Sequence, residues 1–109
     1  MSGISQANAQ LGLALDALAT LSKTLKERLI HAAFPIINDM KAEDLPSREL
    51  RSSYDRLKKV LTHMSPQPPS DGSIQATIKS MTDSEAEEAA RLVLKLAREV
   101  EEEAWRQQQ

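Results

Sequence analysis

Three observations predict an all-α fold. The chain carries 14 Ala, 14 Leu and 10 Glu, all strong helix formers, against only three Gly and five Pro. No stretch sustains the period-two alternation of β-branched or aromatic residues that marks a strand. Apolar residues recur instead at spacings of three and four, the period of a helix face. The expected architecture is a small helical bundle of three long helices plus one short helix. Its first helix is long, with a kink near Pro35.

The opening helix is expected from about Ser2 or Ser5 to Ala33. Ile4, Leu11, Leu18, Leu25 and Ala32 repeat every seven residues, and Ala7, Ala14 and Leu21 follow three further on. Leu15 and Leu29 widen the stripe, as a core-facing bundle helix requires. Pro35 has no amide hydrogen and crowds the preceding turn, so the helix must kink or stop near Phe34. Ile36, Ile37 and Met40 keep the helical spacing, which favours a kink followed by one or two more turns.

Leu45 precedes Pro46 and is pushed out of helical geometry, so a break is expected over 42–46. Ser47 then caps a second helix running to about His63 or Met64, with Leu50, Tyr54, Leu57, Leu61 and Met64 inward. Residues 65–73 hold three prolines, one glycine and three serines with no apolar residue, and read as a loop. That loop separates an N-terminal helical pair from the C-terminal helices within a single domain, 1–109. A short helix follows over about 73–80. Thr82 and Glu85 have capping-box spacing, with Met81 and Ala86 placed as a hydrophobic staple. The last helix is therefore expected from Asp83 to about Trp105. Its inward seam is Ala86, Ala90, Val93, Ala97, Val100 and Ala104, all small, flanked by Leu92, Leu94 and Leu96.

Composition excludes much chemistry. Without cysteine there is no disulfide, thiolate nucleophile or cysteine metal site. A net charge of −2 gives no global attraction to nucleic acid or anionic membrane. No apolar run approaches the ~20 residues that span a bilayer, and the first 20 residues lack the basic start of a secretory signal. A cytoplasmic protein is expected. Leu, Ile, Val and Phe supply 24 of the 109 residues, enough for a small core only.

Glu27 and His31 lie four apart, a ligand-compatible spacing, but a di-metal bundle needs a second such pair. His63 has Lys59 four residues before it instead, so no metal and no cofactor are expected. The three glycines are isolated, and no serine sits in a nucleophile-elbow sequence.

Arg56 and His63 stand seven apart, two turns along one helix. An arginine and a histidine so spaced resemble the active-site pair of the small all-helical HEPN ribonucleases. The resemblance covers eight residues and two identities. It implies RNA cleavage by Arg56 and His63 at a dimer interface. Leu57 replaces the polar residue that often follows the arginine, and the pair is not on the last helix.

Arg48, Arg51, Arg56, Lys58 and Lys59 give the second helix a basic patch. Only Tyr54 is an aromatic neighbour, and its spacing assigns it to the apolar face, so nucleic acid is not the expected partner and a nucleic-acid-binding regulator ranks third, behind an interaction module and the ribonuclease reading. The last helix carries eight acidic residues from Asp83 to Glu103, and its charge is expected to answer the patch within the bundle.

The functional expectation rests on a length mismatch. A first helix of about 32 residues cannot be covered by partners of about 23 and 17, at 1.5 Å per residue. An uncovered stripe from Ile4 to about Leu15 would be an exposed apolar patch, and such patches mark interfaces. Trp105 ends a helix whose Glu101, Glu102 and Glu103 oppose the macrodipole, and Trp is enriched in interface hot spots. The chain thus reads as a non-enzymatic interaction module, a self-associating adaptor, regulator or inhibitor, with Ile4, Leu11, Leu15, Leu18 and Trp105 at the partner surface. A homo-oligomer, dimer or higher, and a further protein partner are expected.

Overall fold

The computed structural model describes residues 3–20, 23–63 and 73–107. It is all-α, with no strand among the described residues. Helix α1 (Gly3–Thr20) is followed by α2 (Leu25–Phe34), a wide π turn (Pro35–Asp39) and a 3₁₀ turn (Ala42–Asp44). Helices α3 (Arg48–Thr62), α4 (Ser73–Lys79) and α5 (Asp83–Gln107) complete the chain.

The long first helix expected from the heptad pattern is two helices. Thr24 is extended at φ −63° and ψ 161°, and its hydroxyl oxygen accepts the Glu27 amide at 3.2 Å, which starts α2 afresh. Thr20, at the end of α1, turns its hydroxyl back onto the Asp16 carbonyl at 2.6 Å. Hydroxyl residues offer the backbone such local alternatives to the helix ladder. The Arg28 guanidinium donates to the Leu18 carbonyl at 2.8 Å and so ties α2 to the end of α1. Leu21, part of the expected stripe, lies outside the described residues, as do Ser2, Met64 and residues 65–72 of the expected loop.

The break lets α1 and α2 pack on each other and on α5. Ile4, Ala7, Leu11 and Ala14 are thereby buried in the chain's own core. Ile4 is 3% exposed and Leu11 1%, so the stripe expected to be uncovered is covered over this stretch. Gly3 permits a close approach here, since a Cβ built on it would lie 2.9 Å from the Asp44 Cα.

Pro35 does not end the helical path. The backbone continues through it as a single π turn, consistent with a residue that lacks the donor for a regular α turn. Ile36 and Met40 are buried as their spacing predicts. Ser47 caps α3 through its Oγ, which accepts the Leu50 amide at 3.1 Å. Leu50, Tyr54, Leu57 and Leu61 form the inward face of α3. Thr82 and Glu85 form the reciprocal capping box: the Thr82 amide donates to Glu85 Oε1 at 2.8 Å, and the Glu85 amide donates to Thr82 Oγ1 at 3.1 Å. Of the small seam of α5, Ala86, Val93, Ala97, Val100 and Ala104 are buried, while Ala90 is only half-buried. Ala89 and Leu96 join the core in addition. Helix α5 packs on α1, α2 and α3, and α4 closes the bundle against α2 and α3.

Candidate interaction surface

Once the core is formed, the large hydrophobic side chains still exposed are Leu13 (56%), Leu94 (38%) and Trp105 (64%) among the described residues. Leu94 belongs to an open groove of about 450 Å³ between α1, α2 and α5. Its walls are Leu15, Leu18, Ala19, Leu25, Ala90 and Leu94, with Arg91 the one charged member. Ala90, a small residue of α5, forms part of its wall, and Leu15, Leu18 and Leu25 beside it are half-buried. Leu15 and Leu18, expected at a partner surface, lie here; Ile4 and Leu11 do not.

Trp105 continues the same flank of α5. It follows Leu94 by 11 residues, three turns of helix, so the two side chains leave the helix in similar directions. The rise between them is about 16 Å. Glu101, Glu102 and Arg106 line an open recess with Trp105. Arg106 pairs with Glu103 at 3.0 Å and Glu102 at 3.8 Å, both on its own helix. The acidic end that should fray is thus partly neutralised by Arg106, a residue to which sequence reasoning gave no role.

The basic patch of α3 divides. Arg56 and His63 line a cleft of about 270 Å³ against α5, together with Val60, Met81, Glu85, Glu88, Ala89 and Leu92. Arg51 donates to the Leu45 carbonyl at 2.9 Å and anchors the chain ahead of α3. Lys58 and Lys59 are exposed, and Arg48 opens the helix. Among the described residues no ion pair joins α3 to α5, so the expected charge match between the two helices is not made by direct contact.

The seven-residue spacing does bring Arg56 and His63 to one cleft. The ring Nδ1 of His63 lies 3.3 Å from the Val60 carbonyl, the contact of a donor nitrogen. Two carboxylates, Glu85 and Glu88, share the cleft, brought there by α5. The Glu85 carboxyl is held below the usual range, chiefly by the Thr82 amide, then by the Thr82 hydroxyl, with a smaller contribution from His63.

A larger polar recess of about 860 Å³ opens where α1 meets the π and 3₁₀ turns, lined by Gln6, Gln10, Asn38, Asp39, Lys41 and Asp44 among others. Ser5 also lines it, and no histidine does. Glu27 is engaged with Thr24, whose hydroxyl donates to Glu27 Oε1 at 3.1 Å, and His31 is exposed. No group of three or more potential metal ligands occurs among the described residues. No helix among them is long and apolar enough to cross a membrane. Comparison of the chain with protein-family models, with curated proteins and with solved structures finds no match in any of the three.

Proposed function

We propose that this chain is a non-enzymatic, self-associating protein–protein interaction module that works through the α1–α2–α5 groove and the flank of α5 beyond it. The observation that carries this reading is the groove itself, walled by Leu15, Leu18, Leu25 and Leu94 with hardly a polar atom in its lining. Apolar surface gathered in one recess, with Trp105 on the same flank, is the composition of an interface core. Sedimentation velocity tests it. A dimer or larger species is expected at about 100 micromolar, where even a modest Kd suffices. Leu94→Glu, at a half-exposed position, should return the protein to a monomer while circular dichroism stays helical. A wild-type chain that remains monomeric at that concentration overturns the reading.

A second reading is metal-independent RNA cleavage by Arg56 and His63, supported by their shared cleft. Its test is cleavage of single-stranded RNA in the presence of a chelator, lost in His63→Ala. Glu85 and Glu88, which repel a phosphate at that cleft, favour the interaction reading.

A further inference from the structure

Four positions on the exposed flank of α5 form a self-complementary pattern. Leu94, Arg98, Glu101 and Trp105 are spaced four, three and four residues apart, so they fall along one side of the helix. All four are exposed, and neither Arg98 nor Glu101 is in an ion pair among the described residues. The order is apolar, cation, anion, apolar, and it is symmetric about the midpoint between Arg98 and Glu101.

We propose that the occupant of the groove is a second copy of this chain, docked with the two α5 helices antiparallel about a two-fold axis near residues 99–100. Turning α5 end for end about that axis sets Trp105 of one copy opposite Leu94 of the other. The same rotation sets each Arg98 opposite the other copy's Glu101. Every contact is made twice, as an isologous interface demands. Trp105 then enters the groove between α1, α2 and α5, whose volume of about 450 Å³ exceeds that of an indole side chain. The two charge pairs exclude the parallel alignment, which would place Arg98 on Arg98 and Glu101 on Glu101. This arrangement rests on the self-association reading and adds to it a partner, an orientation and a register.

Charge reversal tests the register. Arg98→Glu sets acids against acids, and Glu101→Arg sets bases against bases; each should weaken dimerisation about tenfold or more. The double variant R98E/E101R restores both cross pairs and should recover the wild-type dimer. An equimolar mixture of the two single variants should also dimerise, because each acid then meets an arginine. Trp105, the only tryptophan in the chain, reports the seating: its emission should shift to the blue as wild-type protein associates. Circular dichroism checks that each variant stays helical, and the mixture keeps the test decisive where the double variant fails to fold. If Leu94→Glu dissociates the dimer but both single reversals leave it intact, the register falls and the groove reading stands. Failure of both the double variant and the mixture to recover association also overturns the register. A wild-type monomer at about 100 micromolar with red, quenchable Trp105 emission overturns both.

Discussion

The Tyr54 hydroxyl donates to the Met40 carbonyl at 3.0 Å, with the Ile36 carbonyl also within reach at 3.3 Å. One buried phenol on α3 thus serves the carbonyls that the π turn leaves at its start and just past its end. Helical spacing alone puts Tyr54 on the apolar face of α3, but the polar task appears only when that face meets the turn after Pro35. Tyr54→Phe keeps the ring and removes the donor, leaving buried carbonyl oxygens unserved. A loss of about 1–3 kcal/mol in urea-unfolding free energy is expected. Burial, then the charges of Asp55 and Asp44, push the Tyr54 pKa above its ordinary value. A group whose folded pKa is raised contributes stability that is complete below the unfolded value and lost as pH rises through the folded one. Wild-type protein should therefore lose stability above about pH 10, and Tyr54→Phe should show a smaller alkaline loss.

The capping box makes an opposite pH prediction. Thr82→Ala should cost about 1 kcal/mol by removing the acceptor for the Glu85 amide. Because the folded pKa of Glu85 is lowered, its contribution is present above the unfolded value and fades as pH falls through the folded one. Glu85→Gln keeps the acceptor but not the titration. The stability difference between wild type and Glu85→Gln should stay flat near neutrality and change on acidification, measured by thermal melts from neutral pH down to about pH 3.

Two alanines of α5 should separate stability from association. Ala97 is buried in the seam, so Ala97→Leu should overpack it and cost about 1–3 kcal/mol. Ala90 walls the groove, so Ala90→Leu should leave the thermal midpoint nearly unchanged while filling the recess and weakening the dimer. An equal loss of stability in both would mean that Ala90 is packed as tightly as Ala97.

Two glycines of α1 should respond in opposite senses. A Cβ at Gly12 meets nothing within 4 Å, so Gly12→Ala should stabilise by about 1 kcal/mol through helix propensity. At Gly3 the added carbon would press on the backbone of Asp44, so Gly3→Ala should gain less than Gly12→Ala or destabilise. Paired chemical-denaturation curves compare them directly.

The features legible in the sequence are the local ones. The Ser47 cap, the Thr82–Glu85 box, the inward face of α3 and most of that of α5 depend on residues within one or two turns, so spacing reveals them. The same logic could have found the start of α2: Thr24 and Glu27 carry the capping-box spacing that located α5, and Thr20, Ser22 and Thr24 cluster around the break. The heptad of leucines running across that point hides them, and the burial shows the change of face: α1 buries Ile4, Ala7, Leu11 and Ala14, whereas α2 buries Leu29, Ala32 and Ala33. Arg56 and His63 were legible as a pair, but Glu85 and Glu88 were not, since they reach the cleft from another helix.

What the sequence by itself determined is the helical class, the caps that start α3 and α5, and the apolar residues available for burial. Each follows from short-range periodicity and from hydrogen bonds between near neighbours. Only the tertiary structure decided which apolar residues stay uncovered. A stripe is exposed or buried according to what packs against it: α2, α5 and the turns after α2 all pack on α1, and Ile4 and Leu11 are buried while Leu94 and Trp105 stay at the surface. Burial is a property of the pair of surfaces that meet, and a single helix specifies only one of them.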